Sequence, residues 1–126
     1  MALELNSLER VNLLLDGYKG AVAEYPFGPE ARVYKVMGKM FALVAEASEP
    51  GRVTFKAAPA DAAALESMFQ AVHPGYHMNK KHWITVDLES DVSLELIGDW
   101  AQLSYDLVVA GLRKVDRNRL ALLPDN

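Results

Sequence analysis

Apolar positions in this chain recur with two periods, and the switches between them mark a series of alternating elements. Leu8, Val11, Leu14, Leu15 and Tyr18 fall at three- and four-residue steps, which gather side chains on one face of a helix. Ser7, just before this run, is the expected N-cap, accepting a backbone N–H that the first turn leaves unpaired. Gly17 and Gly20 then weaken the helix, and the stretch YPFGP from Tyr25 to Pro29 ends it. Two prolines and a glycine there predict an ordered loop carrying aromatic side chains.

From Ala31 the pattern becomes that of strands. Val33, Tyr34, Val36, Met40, Phe41, Leu43, Val44, Val53 and Phe55 are apolar or strand-forming, and they predict three antiparallel strands. Gly38-Lys39 is the expected tight turn between the first two, and Glu49-Pro50-Gly51 the turn before the third. In the third strand Val53 and Phe55 point one way, and Arg52, Thr54 and Lys56 the other. One sheet face is therefore expected to be covered and the other partly wet.

Pro59 and Asp61 open a second helix, ADAAALESMFQAV, with Leu65, Met68, Phe69 and Val72 available for packing. Pro74-Gly75 is expected to stop it. WITVDL, from Trp83, reads as a fourth strand, with Trp83 assigned to the core because a large indole is rarely left fully exposed. The run VSLELIGDWAQLSYDLVVAGLRK is helical, with a weak point at Gly98. Leu96, Trp100, Leu103 and Leu107 form one stripe, Ile97 and Val108 lie beside it, and Arg113 and Lys114 suit the negative pole of the helix dipole. Ser104-Tyr105 reads as packing plus one hydroxyl bond. RNRLALLPDN forms a tail that docks through its leucines or frays. The expected fold is α+β: a single domain over residues 1–126, with a core of about residues 7–114 and a tail at 115–126. Its antiparallel sheet carries helices packed on one face, in the order α-β-β-β-α-β-α.

Composition narrows the function classes. At 126 residues the chain has the size of one domain and can bury about two-thirds of its unfolded surface without disulfide or metal support. It has no cysteine, which excludes a disulfide framework, thiolate metal sites and a cysteine nucleophile and fits a reducing compartment. The start MALELNSLER lacks the basic segment and apolar run of a signal peptide, and no apolar stretch approaches the roughly 18 residues of a membrane span. A cytoplasmic protein without membrane contact is expected. The net charge of −4 argues against a general nucleic-acid binder. Between Ala31 and Trp83, however, seven basic residues outnumber four acidic ones, so the middle of the chain is locally basic.

Three stretches carry a resemblance: YKVMGKMFALV (Tyr34 to Val44), HPGYHMNKKHW (His73 to Trp83) and SYDLVV (Ser104 to Val109). In order and spacing they are similar to the signatures of the MmcQ/YjbR family of small bacterial proteins, and PFG at Pro26 to Gly28 resembles that family's approach to its first strand. The similarity runs from Leu8 to about Lys114. It implies an α+β fold of the CyaY-like or secretion-chaperone-like kind. It also implies the label DNA-binding, which rests on fold-level likeness to a double-wing arrangement.

The segment HPGYHMNKKHW holds all three histidines of the chain. Pro74 and Gly75 break the helical spacing that would bring His73 and His77 together, and no cysteine is available, so no metal site is expected. His77 or His82 could act as a base, but no nucleophile, base and orienting group assemble, so the chain is read as non-enzymatic with no catalytic residue and no cofactor. Nucleic acid is the leading expectation. Tyr76, His77, Asn79, Lys80, Lys81 and His82, extended by Lys35, Lys39 and Lys56 on the sheet, supply a phosphate-and-stacking surface for weak, salt-sensitive DNA binding. The alternative is a module for a small anionic or aromatic ligand or a protein partner, in which the Tyr25–Phe27 loop, the Gly38 turn and the His73–Trp83 loop converge on one end of the sheet.

Overall fold

Asn6, one residue ahead of the expected cap, starts the first helix: its side-chain oxygen accepts from the Glu9 N–H at 2.8 Å. In the computed structural model, which describes residues 5–48, 50–75 and 78–125, this helix is α1 (Ser7–Asp16). It is followed by β1 (Ala21–Glu24), β2 (Ala31–Val36), β3 (Lys39–Ala45), β4 (Arg52–Lys56) and α2 (Pro59–Met68). The chain then forms β5 (Val72–Pro74), β6 (Trp83–Asp87), α3 (Leu94–Ala110) and α4 (Lys114–Leu122). The strands make one antiparallel sheet in the order β1-β2-β3-β4-β6-β5, with the helices on one face. This is the expected α+β class. Among the described residues no helix is long and apolar enough to cross a membrane.

Three elements go beyond the expected order. β1, the short AVAE, pairs with β2 as an edge strand. β5 emerges because α2 stops at Met68 and Phe69 is already extended. Val72 therefore leaves the expected helix and pairs with Val86. Pro74 sits at the end of this edge strand, where its missing N–H breaks no interior ladder. The expected tail begins as α4, whose Leu120 is buried. Arg113 starts α4, so it and Lys114 lie beyond the last turn of α3, which ends at Gly111.

The β2–β3 turn centres on Met37-Gly38 rather than Gly38-Lys39. Both residues have positive φ, 48° and 81°, as a two-residue hairpin turn matched to the strand twist requires. Just beyond it the register slips: Tyr34 pairs with Ala42 and Lys35 with Met40, leaving Phe41 as the extra residue of a bulge. Phe41 and Ala42 are consequently both buried. Ser104 of α3 answers this local change. Its Oγ donates to the Phe41 carbonyl at 2.6 Å and accepts from the Lys56 N–H at 2.8 Å, so one fully buried hydroxyl ties α3 to β3 and β4.

The core lies between sheet and helices. Tyr34, Val36, Val44, Val53, Phe55, Ile84 and Val86 come from the strands. Ile97, Trp100, Ala101, Ser104 and Val108 are the buried positions of α3. The expected stripe is thus rotated: Trp100 is inside, while Leu103 and Leu107 are exposed. Trp83 is half-buried and stands outside the core cluster. The core indole is Trp100, edge-on to Phe69 at 5.5 Å. Tyr105 stacks on Tyr18 and donates to the Lys19 carbonyl at 2.6 Å, fastening α3 to the turn after α1.

Candidate functional site

The strand registers lay two rows of side chains across the face that the helices leave uncovered, since side chains alternate between the two faces of a sheet. One row runs Ala31, Ala45, Arg52, Asp87 from β2 to β6. The next runs Val33, Leu43, Thr54, Thr85, His73 and reaches β5. In both rows the β2–β3 half is apolar and the half on β4, β6 and β5 is polar. Small side chains at Ala31, Ala45, Thr54 and Thr85 leave a depression. Phe27, from the loop between β1 and β2, and Met78, from the loop between β5 and β6, stand over it from opposite ends of the sheet. The resulting groove has a volume of about 610 Å³, within the range of small-molecule sites. Val33, Thr54 and Thr85 are buried although they face away from the helices.

A smaller recess of about 340 Å³ continues the groove at its polar end, lined by Arg52, His73, Pro74, Lys80 and Thr85. Asp87 organises it. One carboxylate oxygen accepts from Arg52 Nε at 2.9 Å, and the other lies 2.8 Å from His73 Nε2. The Thr54 and Thr85 hydroxyls are 2.9 Å apart on the floor. The terminal amino groups of Arg52 and the Lys80 ammonium have no partner among the described residues.

The Phe27 wall is held from behind. Tyr25 donates to Glu46 Oε1 at 2.8 Å, and Asn12 Nδ2 donates to the other Glu46 oxygen at 3.2 Å. The Arg32 guanidinium lies over the Tyr25 and Tyr34 rings, 5.9 and 5.2 Å from their centroids, and donates to Asp16. Burial pushes the Tyr34 hydroxyl above its ordinary range, and the Asp16 carboxylate adds to it while Arg32 opposes it. Burial acts to lower Arg32, but the Tyr25 hydrogen bond and the charge of Asp16 outweigh it, so Arg32 stays a cation. Gly28, at φ 105°, turns the loop so that Phe27 projects over the groove, with 73% of its surface exposed.

Of the residues singled out in the sequence, Lys80 lines the polar recess. Asn79 shapes the same loop, its Oδ1 accepting from the Lys81 N–H at 3.0 Å. Lys81 and His82 are exposed, and the His82 carbonyl accepts from the Ala57 N–H at 2.9 Å. Lys35 is paired with Glu24 at 2.9 Å, Lys39 is exposed at the hairpin, and Lys56, at the far end of β4 from Arg52, borders a separate cleft beside α2 and α3 rather than the groove. The five lysines therefore do not converge on one site. Tyr76 and His77 lie outside the described residues, and among the described ones no three His or carboxylate groups cluster as a metal site would need.

Arg52, His73, Asp87, Leu43 and Met78 were not singled out as site residues from the sequence. The alternation in Arg52-Val53-Thr54 carried a signal for Arg52, whereas His73 was masked by its apparent place at a helix end. Of the expected convergence, the Phe27 loop and the Met78 loop do share the groove. The Gly38 turn is not part of its lining.

Residues 17–107 match the family described as YjbR. The chain is 40% identical to the protein YbdF of Escherichia coli O157:H7 over 96 residues, covering 76% of this chain and 79% of YbdF. It is 32% identical to the protein YjbR of Escherichia coli K12 over 94 residues, covering 75% of this chain and 80% of that one. The crystal structure of Deinococcus radiodurans protein DR2400, with its DUF419 domain, superposes with a TM-score of 0.84 at 32% identity, over 100% of this chain and 95% of that one. A crystal structure from Pseudomonas syringae shares the fold at a TM-score of 0.68 and 24% identity, over 82% of this chain and 98% of that one.

Proposed function

The chain belongs to the YjbR family, and on that premise we propose that it is a non-enzymatic binding module whose ligand site is the groove on the open sheet face. The observation that carries this reading is the groove itself. A volume of about 610 Å³ with a largely apolar lining is bounded by Phe27 and Met78 on loops from opposite ends of the sheet, with Arg52 at its edge. A wet sheet face with no binding role would more simply carry long polar side chains than Ala31, Ala45 and Leu43 under an exposed phenyl ring.

DNA binding is the competing reading, and it rests on Lys80 and Lys81 together with the local basicity of the middle of the chain. Phosphate contacts need several free cations on one surface. Here Lys35 is committed to Glu24 and Lys39 stands apart at the hairpin, which favours the groove as the principal site.

The test is a fragment screen read by thermal shift and amide NMR, on the wild type and on Ala45→Trp, which fills the middle of the groove. We expect fragments that raise the melting temperature and perturb Leu43, Thr54 and Met78, and expect Ala45→Trp to abolish both effects. Fragments whose binding survives Ala45→Trp would place the site elsewhere. Fluorescence anisotropy with labelled duplex and single-stranded DNA at about 50 mM salt, where phosphate contacts are strong, probes the competing reading. Binding there that is lost in the Lys80→Ala, Lys81→Ala double variant but kept in Ala45→Trp would favour DNA over the groove.

A further inference from the structure

We infer that the groove selects a small amphipathic monoanion: a carboxylate on an aromatic or short aliphatic body, its charge at Arg52 and Lys80 and its body between Leu43, Ala45, Phe27 and Met78. This rests on the open face being a ligand groove and adds the chemistry of what it takes. The two rows on the floor change character at the same place, between β3 and β4. Apolar side chains lie on β2 and β3, and Arg52, Thr54, Thr85, Asp87 and His73 lie on the other side. Adjacent strands are about 4.8 Å apart, so a body spanning β2 to β4 needs roughly 10 Å, the length of a phenylpropyl group or a chain of six to eight carbons.

The polar end is cationic by count and by geometry. Arg52 and Lys80 are set against one carboxylate, Asp87. Asp87 takes the Nε edge of Arg52 and leaves the end-on pair of amino groups, the fork that receives a carboxylate through two parallel hydrogen bonds. The Asp87 carboxylate itself holds His73 and Arg52 in place, so the fork is oriented before any ligand arrives. At the opposite end of the groove stands Glu30, next to Ala31 and two strands from Arg52. It disfavours a second negative charge at the far end of the ligand. One excess positive charge at the polar recess matches a monoanion better than a phosphate dianion.

The experiment is calorimetric and NMR titration of the full chain with matched probes: 3-phenylpropionate and 3-phenylpropanamide, octanoate and octanamide, octanedioate, and phenyl phosphate. We expect each monocarboxylate to bind about tenfold or more tightly than its amide, as a charge-assisted bidentate contact implies. Octanedioate and phenyl phosphate are expected to bind more weakly than octanoate and 3-phenylpropionate. Arg52→Gln should erase the preference for acid over amide, weakening the acids far more than the amides. Lys80→Gln, at a side chain with no described partner, should reduce the preference about threefold and serves if Arg52→Gln unsettles the fold through Asp87. Equal affinity for acid and amide in the wild type overturns the anion assignment and leaves the groove reading standing. Tighter binding of phenyl phosphate or octanedioate overturns the monoanion assignment. Binding of none of the six probes overturns the inferred ligand class, and the groove reading also falls if the fragment screen is empty.

Discussion

Ser104 shows how much a single buried hydroxyl can hold. It is fully buried, donates to a carbonyl exposed by a bulge, and accepts from the last N–H of β4. Ser104→Ala leaves both backbone groups unsatisfied, and a buried unpaired polar group costs about 1–3 kcal/mol. We expect a loss of about 2–3 kcal/mol in urea unfolding, with the groove unaffected. Tyr34 gives a pH-dependent counterpart. Its hydroxyl meets the Asn12 carbonyl oxygen at 3.2 Å and Oδ1 at 3.0 Å, and burial raises its pKa above the ordinary 10.0. The folded state therefore holds this proton more tightly than the unfolded chain. The associated stability is fully present below about pH 10 and is lost as pH climbs above it. Tyr18 and Tyr105 are also raised, chiefly by burial and then by Asp106, and act in the same direction. Urea midpoints measured from pH 8 upward should fall above about pH 10, and Tyr34→Phe should flatten that fall; an unchanged slope would assign it to other groups.

The β5–β6 pair is the element on which the candidate site depends, because it presents His73 beside Asp87 and opens the loop that bears Met78 and Lys80. Gly75 closes it. Its N–H donates to the Trp83 carbonyl at 2.8 Å, and a Cβ added there would lie 2.5 Å from the Trp83 Cβ and 3.0 Å from its carbonyl atoms. Gly75→Ala must shift the backbone of one strand or the other. We expect a loss of about 1–3 kcal/mol, and faster amide exchange at Gly75. Gly111→Ala, where the nearest atoms are two carbonyls at 3.6 Å and φ is −87°, should stay within about 0.5 kcal/mol. The same element explains a misreading of the sequence. An alanine-rich run with Met68, Phe69 and Val72 has helical composition throughout, yet the chain is extended from Phe69 and makes Val72 a strand residue. Pairing with Val86 decides this, and no local pattern announces a three-residue edge strand. Within α3, Ser104 and Tyr105 do hold the packing roles their sequence suggested, while the rotation of the helix by about one position keeps Trp100 inside, brings Ala101 in beside Ser104 and turns Leu103 and Leu107 out.

At the scale of the molecule the sheet divides two tasks: one face builds the core with the helices, and the other carries the groove. Residues more than about 7–10 Å apart with no shared partner act additively. Ser104→Ala and Ala45→Trp lie on opposite faces, so the double variant should lose stability as the sum of the singles, within about 0.5 kcal/mol. Ligand affinity should follow Ala45→Trp alone, and calorimetry of the four proteins checks both statements. The sequence by itself determined the α+β class, the β2–β3 hairpin to within one residue of its turn, the alternation of β4 and the family signatures, because each is carried by residues within a few positions of one another. Only the tertiary structure decided that Arg52 meets Asp87 across 35 positions and His73 meets it across 14. It also decided that Lys35 is neutralised by Glu24 and that Phe27 and Met78 overlook one groove. Strand order and register, set by burying the core face, fix which side chains share a row on the opposite face. The segment HPGYHMNKKHW is therefore readable as a fingerprint, while its place at the polar end of a groove is a product of the strands around it.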